Sequence, residues 1–364
     1  MKPLKCVCAG AALLGSALAA QAQTAAPSPW SAGPLTFSGL MDGYYSLGFN
    51  HPASRTNQLR NFDVQANRLS LNMAKLTLEH APDPVGVRID LGFGRAFDIV
   101  HSSERDLAVM RNIEQVFVSV KPKQAKGFQA DFGKFVTSAG AEVIGTNSNW
   151  NYSRSLLFSW AIPYYHFGLR TSMPLHKYFT AGVQLVNGWN NVRDNNSGKT
   201  VGLTGVLATS KVTWSHTYYL GPEKLDSNRG YRRLYDTTLL LTPHPKMNFY
   251  LNVDYGAERR ISRGSDTWKG IAGAARFAPK NWLALSPRLE WFSDADGFAT
   301  GTPQSLKEFT LTAEFKIREG ILMRPEYRRD WSDRPFFDRG ASTGVHKSQD
   351  TLLAGIVAYF GPKR

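Results

Sequence analysis

Charged residues of opposite sign recur at every second position in two segments near the end of the chain. The clearer ladder covers residues 323–331, and its charged members are Arg324, Glu326, Arg328 and Asp330. Positions i and i+2 of a β-strand share one face, so each ladder would present charges on one side and apolar residues such as Met323 and Tyr327 on the other. Rows of inward charge could set up an electric field across a water-filled bore, or could simply pair to hold a wide barrel open.

The same alternation marks further charged positions as candidates for an inward, water-facing surface. Both interpretations of the ladders, solute selection and structural pairing, apply equally to them. The full set of predicted lumen-lining residues is Arg88, Asp90, Arg170, Arg276, Arg288, Glu290, Arg324, Glu326, Arg328 and Asp330.

A long interruption at residues 137–163 mixes polar and aromatic side chains in a way that is too apolar for a segment surrounded by solvent. We expect it to fold against another part of the protein. In a channel, such a loop would enter the barrel and form a constriction, and the residues predicted to line it are Glu142, Trp150, Tyr152 and Arg154. The alternative is an external lid or a subunit contact.

Enzyme and metal-site motifs fail in this sequence. Gly198-Lys199-Thr200 resembles the end of a phosphate-binding loop, but the earlier glycine is missing because its position holds Arg193. Asp294 to Gly297 begins like a calcium loop and lacks the later ligands. No H-E-x-x-H pair and no G-x-S-x-G elbow occurs. We therefore predict no catalytic residue, no metal site and no cofactor, although a hydrolase on the barrel rim stays a minor alternative.

These candidates need a scaffold of strands, and from Leu35 onward the chain supplies about sixteen alternating segments. In Met247 to Tyr255, the residues Phe249, Leu251 and Val253 share one face, and polar residues occupy the other. Short turns and longer polar loops alternate between segments. This pattern predicts an all-β, antiparallel, up-and-down transmembrane β-barrel with both termini on the short-turn side and the third loop folded into the lumen. Charged ladders on the polar faces argue against a soluble β-protein.

The chain begins with features of a secretory signal. Lys2 and Lys5 precede an apolar run that is too short to cross a bilayer, and Ala20-Gln21-Ala22 would form the cleavage site. The predicted organisation is a signal peptide at 1–22, a linker at 23–34 and a barrel at 35–364. Both cysteines, Cys6 and Cys8, fall within the signal. A mean hydropathy of -0.30 is compatible with a barrel, which buries its backbone polar groups by strand pairing.

The formal net charge is +14, and removal of Lys2 and Lys5 with the signal leaves +12. Nucleic acid is excluded as a partner because the protein is exported and its basic residues are scattered. The expected partners are outer-membrane lipid and lipopolysaccharide phosphates on the outside and small hydrophilic, preferentially anionic, solutes inside. Outward apolar faces could meet lipid or a second barrel, which leaves a homo-oligomer open.

Several short motifs resemble the OmpL-like β-barrel porins, the second such porin family of Gram-negative bacteria. They include T-F-S-G-L-M-D-G-Y-Y-S at Thr36 to Ser46, F-G-K-F at Phe132 to Phe135 and N-Y-S-R-S at Asn151 to Ser155. R-L-E-W-F-S-D-A-D-G at Arg288 to Gly297 and R-P-E-Y-R-R-D at Arg324 to Asp330 are similar to the closing strands of that family. The resemblance spans nearly all of the mature chain. One departure is the tail Gly361 to Arg364, which follows the final aromatic residue.

Membership would imply an outer-membrane channel and little about its solute. We therefore predict a porin in the outer membrane of a Gram-negative bacterium, forming a passive aqueous channel for small hydrophilic solutes with a preference for anions. The alternative from another class is a closed barrel that acts as an adhesin, receptor or structural protein, since aromatic residues such as Phe336 and Phe337 occur in its loops.

Overall fold

The computed structural model describes residues 29–362. The predicted signal peptide at 1–22 and the first part of the predicted linker lie outside the described residues. The end of that linker forms a two-residue strand, Ser31–Ala32, which pairs with Leu35 and Thr36. The ring of Trp30 lies 4.8 Å from that of Phe360, so the beginning and the end of the described chain contact each other.

Sixteen long strands follow, each built from a segment of alternating apolar and polar residues. We number them β1 to β16 in chain order: Leu35–Gly48, Arg68–His80, Val85–Phe93, Ile113–Val120, Gln129–Val136, Tyr165–His176, Phe179–Val186, Thr200–Ala208, Val212–Lys224, Ser227–His244, Met247–Arg259, Ser265–Lys280, Leu283–Asp294, Gln304–Arg318, Ile321–Ser332 and Ser348–Phe360.

Every strand pairs antiparallel with the next one in sequence, and the last strand closes the sheet on the first. β16 pairs with β1 from Phe360 opposite Gly39 to Thr351 opposite Gly48. The result is a closed barrel of sixteen antiparallel strands, which confirms the predicted fold class and strand count. Closure leaves no unpaired edge among these strands, so the backbone polar groups of each strand are satisfied by its neighbours.

The two faces of the wall differ in the way the alternation predicts. In β11 the apolar side chains of Leu251 and Tyr255 each keep 42% of their surface exposed, while Asn252 and Asp254 keep 2% and 1%. Exposed apolar residues on a closed barrel must lie on its outer surface, so the buried polar face is the inner one. β2 departs from strict alternation through a bulge at Asn72, where the register with β1 shifts. The break in apolar alternation between Met73 and Leu76 predicts a bulge slightly later, near Ala74 and Lys75.

Short turns and longer connections alternate around the barrel. Residues 177–178, 245–246, 281–282 and 319–320 are tight turns on the side where β1 begins and β16 ends. The opposite side carries loop 1 (49–67), loop 2 (94–112), loop 3 (137–164), loop 4 (187–199), loop 5 (225–226), loop 6 (260–264), loop 7 (295–303) and loop 8 (333–347), of which loop 5 is as short as a turn. Both termini of the barrel therefore lie on the short-turn side.

Several of these loops have local structure of their own. Loop 2 contains the helix α1 (Arg95–Val100) and the 3-10 helix Ala108–Asn112. Loop 3 contains the 3-10 helix Thr146–Ser148 and a single π-helical turn at Leu157–Ala161, and loop 8 folds as a hairpin of Phe337–Arg339 with Ser342–His346. Among residues 29–362, no helix has both the length and the apolar character needed to cross a membrane.

Candidate functional site

Loop 3 contacts the inner face of the barrel on the wall opposite its own attachment point. It leaves β5 at Val136, and near its start the carbonyl of Ser138 accepts a hydrogen bond from Thr217 on β9 at 3.1 Å. Further along, Asn151 donates to the backbone of Ser286 on β13 and to Thr312 on β14 at 2.9 and 2.7 Å. The loop thus reaches strands that are far from β5 around the barrel.

Inward charges of β15 bind the backbone of loop 3. The carboxylate of Glu326 accepts hydrogen bonds from the backbone N–H groups of Tyr152 and Ser153 at 2.6 and 3.0 Å. Arg324 donates to the carbonyls of Thr146 and Asn149, each at 2.7 Å. Buried backbone groups need such partners, and hydrogen bonds to charged groups are stronger than neutral ones. The ladder on β15 therefore holds loop 3 in place.

A second group of charges surrounds Arg288 on β13. Its Nη1 lies 2.7 Å from the carboxylate of Glu142 on loop 3, and its Nε lies 3.1 Å from Glu290 and 3.3 Å from Glu308. Arg288 Nη1 also donates to the carbonyl of Ser153 at 3.0 Å. The side chain of Arg288 is completely buried, so this arginine joins loop 3 to the wall through a buried ionic cluster.

All four residues predicted to line the constriction lie in loop 3 and are buried. Glu142 contacts Arg288, and the ring of Trp150 lies 5.2 Å from that of Tyr250 on β11. Tyr152 donates its hydroxyl hydrogen to Asp42 on β1 at 3.3 Å. Because their side chains contact protein on most sides, these residues fix the shape of the loop; their place at a constriction stays a prediction.

Arg154 organises the interior of loop 3. Its guanidinium donates to the carbonyls of Val143, Tyr152 and Ile144 at 2.9, 2.5 and 2.5 Å. It also lies over the ring of Phe62 in loop 1 at 4.4 Å. Burial lowers the pKa of Arg154, while the charge of Glu142 opposes this change. The residue is 2% exposed, so it acts on the bore by shaping the loop.

Gly355 on β16 provides the space for Tyr152. A Cβ atom at position 355 would overlap the tyrosine ring. We expect Gly355→Val to displace Tyr152 and to lower the free energy of unfolding by about 1–3 kcal/mol, the usual cost of overpacking. Urea unfolding followed by heat-modifiable gel migration would measure this. Gly273→Val on β12 is the matched control, because the nearest atoms to its Cβ lie at 3.9 Å on the outer face; equal losses in both variants would contradict the proposed contact.

The predicted lumen-lining residues all lie on the inner face and divide into two groups by exposure. Those on β13 and β15 lie under loop 3 and are buried: Arg288, Glu290, Arg324, Glu326, Arg328 and Asp330. Asp90 is also buried, and it pairs with Arg88 at 3.1 Å. The side chains of Arg88, Arg276 and Arg170 keep 23%, 15% and 10% of their surface exposed. Whether any of them selects a solute stays a prediction.

The structure adds Lys75, Glu79 and Glu114 to the predicted pair Arg88 and Asp90, in one inward cluster on β2, β3 and β4. Lys75 Nζ lies 3.0 Å from Glu114 and 4.0 Å from Asp90, and Arg88 pairs with Glu79 at 3.3 Å. Strict alternation would place Lys75 on the outer face of β2. The bulge at Asn72 reverses the faces of the residues after it, so Lys75 points inward. Strand parity alone could have identified Glu79, which shares a face with Thr77.

A polar cavity of about 460 Å³ opens at the loop side between loops 2 and 4 and the inner faces of β9 and β10. Its lining includes Arg105, Arg111, Trp189 and Arg232. Arg232 pairs with Glu258 and lies 4.8 Å from the ring of Trp189. The cavity therefore carries charges of both signs, since Glu104 and Glu223 line it together with the three arginines. Within residues 29–362, no three His, Cys, Asp or Glu side chains are grouped so as to hold a metal ion.

Comparison with known families identifies this barrel. Residues 34–360 match the family described as "Putative beta-barrel porin-2, OmpL-like", which covers all sixteen strands. The chain belongs to this family. It is therefore an outer-membrane porin of a Gram-negative bacterium, with its short turns facing the periplasm and its long loops facing outward.

Solved structures with the same fold include three barrels of low sequence identity. OmpF of Salmonella typhi, in complex with daunomycin, has a TM-score of 0.60 and 13% identity over 90% of this porin and 97% of that chain. An anion-selective porin from Comamonas acidovorans gives 0.59 and 11% over 90% and 99%. A trimer form of OmpT from Vibrio cholerae gives 0.54 and 11% over 90% and 99%. No curated protein matches this porin.

Proposed function

We propose that this porin is a passive aqueous channel for small hydrophilic solutes, that loop 3 narrows its bore, and that the open path runs along β2 to β8. The observation that supports this is the one-sided docking of loop 3. Its backbone is hydrogen-bonded to β13, β14 and β15, where the inward charges are buried. On the other wall, some inward residues keep part of their surface exposed, as Arg88, Thr180 and Thr204 do, although others such as Asp131 and Gln184 are buried.

We further propose that the channel prefers anions. Among the partly exposed inward side chains, Lys75, Arg88 and Arg276 keep 13%, 23% and 15% of their surface, and the acidic Glu79 and Glu314 keep 35% and 13%. The cavity between loops 2 and 4 adds three arginines, Arg105, Arg111 and Arg232, and two acidic residues, Glu104 and Glu223. An excess of accessible positive charge concentrates anions at the mouth and in the bore.

Planar-bilayer recording of purified, folded protein tests both parts of the proposal. We expect stepwise single-channel currents, because the proposed path along β2 to β8 would conduct ions through water, and a reversal potential in a salt gradient that has the sign of anion preference. A cation-selective reversal potential would contradict the preference. A folded protein without any channel currents would favour the alternative of a closed barrel that acts through its loops.

The proposed partners are outer-membrane lipid, lipopolysaccharide and further copies of the same chain. Apolar residues cover the outer face of β2 to β8, with Leu69, Phe132 and Leu203 among the most exposed. Such a surface can contact lipid or another barrel. The trimer form of the Vibrio cholerae protein supports the second possibility for this porin. The porin family and the barrel fold favour a channel over an enzyme.

A further inference from the structure

Exposed cations lie on the outer, lipid-facing side of this porin in one sector, near the loop end of β10 to β15. Four of them, Arg233 on β10, Lys269 on β12, Lys307 on β14 and Arg329 on β15, form what we call the cationic line; Arg229 on β10 and Arg259 on β11 lie further toward the loops. Each alternates with apolar or aromatic outward neighbours such as Tyr235 and Ile271. Charge on a lipid-facing surface is costly unless it reaches the headgroup region. The confinement of these lipid-facing cations to one sector therefore needs a physical reason.

Strand register shows that the steps between these residues are regular. Arg233 on β10 pairs with Ala257 on β11, and Ala257 pairs with Thr267 on β12. Lys269 lies two residues closer to the periplasm than Thr267. Lys269 aligns through Ser293 with Ser305, and Lys307 again lies two residues closer. Lys307 aligns with Trp331, and Arg329 lies two residues closer still. The cationic line thus descends by six residues over five strands.

The tilt of the strands turns this descent into a line of constant depth. With a tilt of about 35–45° and strands about 4.8 Å apart, a fixed depth shifts by roughly one to one and a half residues per strand. Over five strands this is about five to seven residues. The periplasmic turns shift in the same direction. Leu283, the first residue of β13, pairs with Phe315 on β14, and β14 continues beyond Phe315 to Arg318 before its turn. The four cations therefore ring this sector at one level of the outer leaflet.

Aromatic side chains lie between the cations and position them. Lys307 is paired directly with Trp291 on one side and Trp331 on the other. Lys269 Nζ lies 6.0 Å from the ring of Trp291, and the guanidinium of Arg329 lies 5.1 Å from the ring of Trp331. Tryptophan prefers the membrane interface, so these rings mark the level at which lipid headgroups begin.

Three of the four charges are available to a ligand. Arg329 lies 3.5 Å from Asp350, whereas Arg233, Lys269 and Lys307 have no acidic partner within 4.0 Å among the described residues. On β1 to β9, no outward-facing lysine or arginine of a described strand is exposed. The sector thus combines unpaired positive charge, the correct depth for headgroups and an adjoining apolar wall for acyl chains.

We infer that the cationic line binds the phosphorylated sugar headgroup of lipopolysaccharide in the outer leaflet. The phosphates would contact Arg233, Lys269 and Lys307, and the acyl chains would lie on apolar residues below them, such as Leu289 and Leu311. Lipid phosphate attracts lysine and arginine at a membrane surface. This inference rests on the outer-membrane location and is independent of solute transport.

Native mass spectrometry of detergent-solubilised full-length porin with bisphosphorylated lipid A would test it. Neutralising Arg233→Gln, Lys269→Gln and Lys307→Gln together should weaken binding on the order of 100-fold, at about 5-fold per charge. The matched control neutralises three exposed lysines in periplasmic turns and at a periplasmic strand end, Lys177, Lys246 and Lys280. Its binding should stay within about 3-fold of the parent protein.

Three outcomes would overturn the inference. These are an equal loss in the control, no loss in the outward variant, and binding of the unmodified porin to dephosphorylated lipid A or phosphatidylglycerol as tightly as to bisphosphorylated lipid A. The lipid comparison needs no variant, so it holds even if a variant fails to fold. Heat-modifiable gel migration confirms folding of each variant. Single-channel conductance should be the same in all variants. If the parent protein has no channel activity, the proposed function is wrong, and the lipid-binding result still stands.

Discussion

Arg288→Met is expected to release loop 3 and to raise single-channel conductance at least roughly two-fold. The parent arginine is fully buried and contacts Glu142, Glu290 and Glu308. Its loss would leave Glu142 and Glu290 without a cation within 4.0 Å among the described residues and Glu308 with Arg328 at 3.6 Å, and breaking a buried ionic cluster costs about 3–5 kcal/mol. Because Glu142 belongs to loop 3, we expect the loop to move away from the wall around Glu142, while Arg324 and Glu326 still bind residues 146–153. The conductance would then increase as the bore widens.

Arg170→Met is the matched control for this experiment. Arg170 is also an inward, mostly buried arginine, but its partners Asp131, Phe117 and Phe135 lie on β4 and β5. We expect a comparable loss of stability in urea with a much smaller change in conductance. If Arg288→Met lowers stability while conductance stays at the parent value, loop 3 does not restrict the path, and the proposed constriction is wrong.

The double variant Lys75→Gln and Arg88→Gln is expected to shift ion preference toward cations. Both side chains are partly exposed on the inner face, and they accompany Glu79, Asp90 and Glu114. Removing the two positive charges leaves the acidic members of the cluster in excess. A unit charge about 4 Å from an ion in water contributes about 1 kcal/mol, so two charges contribute about 2 kcal/mol and should change the permeability ratio by about 30-fold. Reversal potentials in a salt gradient measure this ratio.

The triple variant of the cationic line serves as the control for selectivity. It removes three positive charges from the lipid-facing side, so it changes the total charge more than the double variant does. We expect its reversal potential to match the parent protein, because ions in the bore are separated from the outer face by the barrel wall. A similar shift in both variants would show that total charge sets the preference, and a double variant without any shift would exclude Lys75 and Arg88 from the ion path.

Local pattern was sufficient to predict the barrel because the signal for each strand is contained in the strand itself. In Met247–Arg259, two-residue alternation determines which side chains face outward, since successive Cβ atoms of any strand point to opposite sides. Alternation of turns with longer loops determined the antiparallel order and the common side of the termini. The bulge in β2 shows the limit, because the break in alternation indicates a bulge near Ala74 and Lys75, whereas the pairing with β1 places it at Asn72.

Exposure of the inward charges was decided only by the tertiary structure. Arg88 and Arg288 occupy equivalent positions in alternating strands, yet one side chain is 23% exposed and the other is fully buried. The difference comes from loop 3, whose Glu142 and Ser153 contact Arg288. Likewise, the reason for a glycine at position 355 is its contact with the ring of Tyr152, which only the folded structure shows. The sequence by itself determined that a closed barrel with a polar interior forms. Only long-range packing of a loop against a distant wall decided which of the polar residues meet water, because burial depends on contacts that strand periodicity does not encode.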